Sequence, residues 1–206
     1  MPTHDSPAFN GALEAIKNRH SVRQFSEQPV SEADLTAVLE AANYAPSAHN
    51  QQAWRFIIVR GEKKRELVEL INQRLGAFPR AASVLLRLAA RTIASAPEVV
   101  AVANTGELIE HGTRLFQIDP DLGHDFFRTM EIQSSAAAVQ NLLLAATSLG
   151  LATVWLGILY LIKDEVLTLL GEPQGEFMAI VPLGYPVRPT KGPVKRPLDS
   201  IVKVLA

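Results

Sequence analysis

The segment Arg19-His20-Ser21-Val22-Arg23 sets a guanidinium on either side of a hydroxyl at every second position. If it runs extended, Arg19, Ser21 and Arg23 point to one side, because side chains in a strand alternate faces. Arginine gives bidentate, charge-assisted bonds and serine a neutral donor, so this set has the chemistry of a phosphate grip. A solvated basic turn would carry the same residues, since arginine is common on surfaces. A second polar cluster, Pro46-Ser47-Ala48-His49-Asn50-Gln51-Gln52-Ala53-Trp54, lies between a helical pattern and an apolar strand pattern. Donors and acceptors in a loop held between two apolar elements mark a ligand-facing position. His49, with a free pKa near ~6.5, has the chemistry of a proton donor; a loop histidine bonded to backbone is the plainer alternative. No His–Asp pair is readable around Ser47, which argues against a nucleophilic serine.

The elements that must position these residues follow from periodicity. Leu13 and Ile16 suit a short helix over 12–19 that delivers the Arg19–Arg23 segment. Ser31 is placed to cap a helix whose apolar face is Leu35, Val38, Leu39 and Ala42, and Pro46 bars its extension. Trp54–Val59 reads as a strand buried on both faces, and 97–103 as a second central strand. Helical spacing covers 62–75 and 79–94; the arginines of the latter, Arg80, Arg87 and Arg91, read as a solvated face. Residues 104–128 lose periodicity and read as a mobile excursion, a candidate lid. A long buried helix is expected over 130–149, then a strand over 152–157, a short helix over 163–170 and a strand over 176–183. From Val187 the chain is proline-rich and basic, then apolar, which suits an arm packed on its own body or on a partner subunit.

The chain has 206 residues and a formal net charge of -1, which argues against a general nucleic-acid binder. No cysteine is present, so disulfides, thiolate metal sites and cysteine nucleophiles drop out. No apolar run reaches the ~18–20 residues of a membrane span, and Met1–Pro7 lacks the pattern of a signal peptide. The expectation is one cytoplasmic domain over 1–206, with a disordered lead at 1–8, the excursion at 104–128 and the arm at 187–206. Alternating helices and strands argue for an α/β or α+β sandwich. Gly-x-Gly-x-x-Gly, the P-loop and the Gly-x-Ser-x-Gly elbow are missing.

Four pieces in order make the chain resemble the flavin mononucleotide (FMN)-dependent nitroreductase family. They are Arg19-x-Ser21-x-Arg23-x-Phe25, Ala45-Pro46-Ser47-x-x-Asn50-x-Gln52-x-Trp54, Trp155-Leu156-Gly157, and Leu183-Gly184-Tyr185-Pro186 with Lys195-Arg196-Pro197-Leu198. The resemblance implies an α+β sandwich with a mostly antiparallel sheet flanked by helices, and an intertwined homodimer with FMN at the interface. It assigns the FMN phosphate to Arg19, Ser21 and Lys195, with His20 beside them and Arg196 assisting. Arg23 matches a basic position near the pyrimidine end of the flavin, where its role is electrostatic, and Pro46, Ser47 and Asn50 match residues that reach the partner's flavin. Trp155, Leu156 and Gly157 lie where backbone approaches the ring edge; no side-chain acid or base is required for the first half-reaction, and no metal is implied. The implied activity is ping-pong hydride transfer from NADH or NADPH to a nitroaromatic, quinone or similar small acceptor. A flavin-consuming or dehalogenating branch, or a flavin-storage protein, are the alternatives. This chain departs from the family pattern at Ala53, at Ala48-His49, at Pro193 and at Val154-Trp155-Leu156-Gly157, which stands for a Pro-x-Glu-Gly turn.

Overall fold

A run of valine and alanine with one charge suits a strand covered on both faces, and β2 (Glu98–Asn104) is buried at every position. The computed structural model describes residues 11–205; the expected lead at 1–8 lies outside the described residues. β2 pairs antiparallel with β1 (Trp54–Ile58) and with β4 (Glu176–Gly184), and β3 (Ala152–Thr153) pairs antiparallel with β4. The sheet order is therefore β1-β2-β4-β3.

Alternation along β2 then divides the core. Val99, Ala101 and Ala103 face α3 (Gly61–Arg74), α4 (Arg80–Ser95) and α7 (Lys163–Leu170) through Leu67, Ile71, Leu86, Ile93 and Val166. Val100 and Val102 face α2 (Glu32–Asn43) and α6 (Pro120–Ser148) through Leu35, Val38, Val139 and Leu142. A short helix, α1 (Gly11–Asn18), packs against α6. Ser31 caps α2 as its sequence suggests: its Oγ accepts from the Asp34 amide at 3.0 Å and donates to the Asp34 carboxylate at 2.7 Å. No helix among the described residues is long and apolar enough to cross a membrane.

Three expectations change. β1 is an edge strand, with Arg55 and Ile58 exposed, so it is not buried on both faces. The strand expected over 152–157 keeps only two residues in the ladder. The chain leaves it at Val154 and Trp155, then rejoins in the same register where Leu156 bridges Ile180. The segment 104–128 is helical: α5 (Glu107–Phe116) precedes α6, which starts at Pro120 rather than Met130. The start signal was Asp119, whose carboxylate accepts from the Leu122 amide at 3.0 Å, followed by proline at the first helical position. Periodicity was hidden because this hairpin leaves Leu115, Phe116, Leu122 and Phe126 exposed.

Two contacts hold α5 on α6. Gly112 sits against the Phe127 ring, so closely that a Cβ there would overlap it. Glu131 of α6 is only 1% exposed, and its Oε1 accepts from the Gly106 amide, at the start of α5, at 2.7 Å. Burial pushes the Glu131 carboxyl up to about 7; the Gly106 hydrogen bond opposes that shift.

Gly112→Ala should lower stability by ~1–3 kcal/mol through overpacking against Phe127, measured as a fall in denaturant midpoint at unchanged m-value. Glu131 generates a pH dependence. Its folded carboxyl holds a proton that the unfolded chain releases near its ordinary value of 4.5, so stability falls as pH rises from there toward about 7 and levels off above. Glu131→Gln should flatten that slope, with a relative gain on the order of 1–3 kcal/mol near pH 8. Parallel pH profiles of wild type and variant by chemical denaturation check it.

Candidate functional site

The Arg19–Arg23 segment leaves α1 directly, with the Arg19 amide bonded to the Ala15 carbonyl at 2.9 Å. It then runs parallel to β3: Ser21 bridges Thr153, and the Val22 amide donates to the Thr153 carbonyl at 2.9 Å. Val22 and Phe25 are buried in the α4 side of the core, which turns Ser21 and Arg23 outward to solvent; Arg19 is half-buried. The alternation expected of an extended segment is therefore present at 21–23.

The start of the arm is stitched to this segment. The Ser26 amide donates to the Tyr185 carbonyl at 2.8 Å, Phe25 bridges Pro186, and the Val187 amide donates to the Gln24 carbonyl at 3.3 Å. His20 adds a side-chain tie. Its Nδ1 lies 2.8 Å from the Asn18 carbonyl and its Nε2 lies 2.6 Å from the Thr190 hydroxyl. A carbonyl accepts only, so Nδ1 donates to Asn18, and Nε2 shares a hydrogen bond with the Thr190 hydroxyl. His20 thus fixes the arm.

Between this segment, the arm and α4 lies a groove of about 610 Å³. Ser21 and Arg23 line it together with Arg91, Arg188 and Lys191. Arg91 belongs to the helix face that the sequence suggested was merely solvated. Its signal was faint: Leu88, Arg91 and Ser95 fall on one face by helical spacing, and all three line the groove. Arg19, Lys195 and Arg196 do not line it; the last two are exposed on the arm.

Trp155, Leu156 and Gly157 continue from β3 next to the Ser21 segment. Trp155 is half-buried against the α6 side of the core, and its Nε1 donates to the Met178 carbonyl at 3.3 Å. Its N–H is therefore spent on structure. Leu156 is buried, with its amide bonded to the Ile180 carbonyl at 2.9 Å. Gly157 is exposed, and a Cβ there would meet no described atom within 4 Å, so its backbone is open to approach.

The polar loop lies elsewhere. After exposed Pro46, a single 3₁₀ turn spans Ala48–Asn50, and His49, Asn50 and Gln52 all take left-handed backbone angles, with φ of 55°, 51° and 50°. Side chains impose that shape. Ser47 Oγ accepts from the Gln52 amide at 3.1 Å, Gln52 Nε2 donates to Asn50 Oδ1 at 3.2 Å, and the Ala48 amide donates to Ser134 Oγ at 3.1 Å. Trp54 Nε1 anchors the loop's end on Asn43 Oδ1 at 3.1 Å. His49 packs its ring near Phe116, His111 and Phe127, at centroid distances of 5.7, 6.1 and 6.3 Å. The loop and the α5–α6 hairpin thus form one aromatic-walled surface, apart from the groove at Arg23.

Known proteins carry the same organisation. The description "Nitroreductase family" matches residues 16–185. An NADH dehydrogenase of Thermus thermophilus is 32% identical over 206 residues, covering 95% of this chain and 96% of its own. A nitroreductase with bound FMN from Desulfitobacterium hafniense superposes with a TM-score of 0.70 at 26% identity, covering 96% of this chain and all of the other. NfrA2 of Bacillus megaterium shares the fold at a TM-score of 0.76 and 22% identity, over 95% of this chain and 74% of its own. The expected α+β sandwich with an antiparallel sheet is the fold observed, and the match over 16–185 takes in the segment at Arg19–Arg23, the loop at Pro46–Trp54 and the turn at Trp155–Gly157. The chain belongs to the nitroreductase family.

Proposed function

We propose that this protein is a homodimeric, FMN-dependent NAD(P)H oxidoreductase that reduces a nitroaromatic, quinone or similar small acceptor. One observation carries the dimeric site. The Ser21 segment flanks β3 at one edge of the sheet, whereas the Pro46–Trp54 loop feeds β1 at the other. Counting from β1 through β2, β4 and β3 to the segment gives four interstrand steps of ~4.8 Å, so roughly 19 Å of sheet separates them. That separation supports a ligand site whose two motifs come from two subunits.

The residues at the β3 edge fit a flavin nucleotide. An exposed hydroxyl and an exposed guanidinium stand beside an open glycine backbone, with further cations close by. When bound, FMN would supply the redox chemistry, taking a hydride from the nicotinamide and returning two electrons and a proton to the acceptor in a second half-reaction. Arg19 and Ser21, with Lys195 and Arg196 from the arm, would hold its phosphate. Arg23 would stabilise negative charge developing at the pyrimidine end, as a fixed cation does for an oxyanion. Gly157 admits the ring edge, and Trp155 serves as a wall because its N–H is taken by Met178. Ser47 and Asn50 would reach the partner's flavin from a loop already held in shape, and the α5–α6 hairpin would cover the acceptor as an aromatic lid. His49 is a packing residue of that lid in this reading, since its ring lies edge-on to His111 and Phe127 and tilted against Phe116.

The arm supports the dimer. It carries Val194 at 99% exposure with Leu198, Ile201, Val202, Val204 and Leu205 also exposed, an apolar series that a second copy would bury.

Arg19→Ala should weaken FMN binding at least about tenfold, from the loss of a charge-assisted contact worth ~1.5–3 kcal/mol. Fluorescence titration of the apoprotein measures it, and an unchanged dissociation constant would exclude Arg19 from the phosphate site. Ile201→Asp combined with Val202→Asp leaves Lys195 in place but should convert the dimer to a monomer by light scattering, with loss of bound FMN. A monomer that keeps its flavin would overturn the shared site.

A further inference from the structure

Along one seam of α6, Phe127, Ala138, Leu142 and Ala146 are buried and apolar. Three polar residues interrupt that seam. Glu131, Ser134 and Ser135 are spaced i, i+3 and i+4, so they share one face of the helix, and all three are buried. A buried polar group is costly unless it is bonded. A serine can meet that need within its own helix, and Ser134 Oγ does donate to the Met130 carbonyl at 2.7 Å. Each of the three also reaches out of the helix. Ser134 Oγ accepts from the Ala48 amide at 3.1 Å, Ser135 Oγ donates to Asn104 Oδ1 at 2.5 Å, and Glu131 Oε1 accepts from the Gly106 amide at 2.7 Å.

These partners converge on one target. Ala48 belongs to the Pro46–Trp54 loop. Asn104 stands opposite Trp54 in the β1–β2 ladder. Gly106 follows Thr105, whose amide donates to the Ala53 carbonyl at 3.1 Å. The helix therefore grips the loop near its start and at its end. That grip differs from the loop's internal bonds. Ser47 to Gln52 and Gln52 to Asn50 fix its shape, but they would travel with it if it shifted. Groups that meet a ligand must be held to within ~0.5 Å by a supporting set on a rigid element. α6, packed on α2 and on β2 and β4, is such an element.

We propose that Glu131, Ser134 and Ser135 are positioning residues for the cofactor: they hold Ser47 and Asn50 where the partner's flavin meets them. This rests on the oxidoreductase reading above, and it adds residues that act on the flavin through the loop. Glu131 also makes the hold respond to pH. Burial disfavours its charge, and Glu176 of β4 and Glu107 of α5 add repulsion. Its Oε2 has no hydrogen-bond partner among the described residues, and Arg128 is already paired with Glu176. His124 of α6 and Lys163 and Asp164 of α7 line the same cleft. Hydrating an ionised Glu131 requires α5 to lift, which slackens the contact at Gly106 and, through Thr105, at Ala53. A slack state releases its proton near 4.5 and the held state near about 7, so the held loop loses ground as pH rises between them and no further above.

The test uses the full-length protein. Hydrogen exchange over 46–54, read by mass spectrometry before flavin is added, should speed up about tenfold in Ser134→Ala. The FMN dissociation constant of that variant should rise about tenfold. Ser134→Thr keeps the hydroxyl and should largely restore both. Ser148→Ala is the control: it removes a bond from Ser148 Oγ to the Ala145 carbonyl within α6 and should change neither. Glu131→Gln keeps an acceptor for Gly106 without a proton to lose. The ratio of wild-type to Glu131→Gln dissociation constants should rise about tenfold between about pH 5 and about pH 8. The FMN phosphate titrates against both proteins and cancels in that ratio. Unchanged exchange or unchanged FMN affinity in Ser134→Ala overturns the proposal. So does a ratio that stays flat with pH, which would make Glu131 a structural contact alone, or an equal loss in Ser148→Ala. A wild type that binds no FMN sinks the oxidoreductase reading and this inference with it, whereas one that binds FMN indifferently to Ser134 sinks this inference alone.

Discussion

Burial of β2 on both faces is the constraint on which the rest of the structure depends. A strand with no solvent face can exist only if helices cover both sides, and its alternating side chains assign Val99, Ala101 and Ala103 to one helical layer and Val100 and Val102 to the other. Its two neighbours satisfy its backbone, so every other strand is displaced outward. That displacement makes β1 and β3 edges and leaves β3 only two residues long. Edges are where backbone groups remain open to further partners. The Ser21 segment takes up the open side of β3, and the arm takes up the far side of that segment.

Chemistry-bearing residues therefore collect at the rim, and the sheet itself keeps them apart. Centre and rim differ in what holds them. At the centre, apolar burial of about 25 cal/mol per Å² dominates. At the rim, order comes from discrete bonds: Val22 to Thr153, His20 to Thr190, Trp54 to Asn43. Such bonds contribute only ~0.5–1.5 kcal/mol each, so the rim is the part of the molecule that a ligand or a second subunit can stabilise most.

How much of this was legible in the sequence follows from the same division. β2, β4 and the α2 cap were readable because burial imposes periodicity and Ser31 acts within three residues of itself. The outward alternation of Ser21 and Arg23 about buried Val22 was readable because it is local to 21–23. The edge character of β1 was not, since exposure of Arg55 and Ile58 depends on which strand finds no neighbour. The α5–α6 hairpin was misread because its apolar residues face outward as well as inward, although Asp119-Pro120 did signal the start of α6. Glu131 was invisible for a different reason. It looks like an ordinary helix-surface charge, and only the packing of Gly106 over it gives it a role.

The Pro46–Trp54 loop shows how a rim can still be rigid. Three residues other than glycine, His49, Asn50 and Gln52, hold positive φ, and sparsely populated backbone states of this kind cost ~1–3 kcal/mol each. Asn50 and Gln52 are exposed, so burial does not compensate. What does is a closed set of local bonds, Ser47 to Gln52, Gln52 to Asn50 and Ala48 to Ser134, with the His49 ring among the aromatics of the hairpin. A loop that merely connected α2 to β1 could have relaxed into ordinary turn geometry at no loss to the core. This loop spends four polar side chains on maintaining an unfavourable backbone, and α5–α6, fixed over it by Gly112 and Glu131, keeps that shape from relaxing.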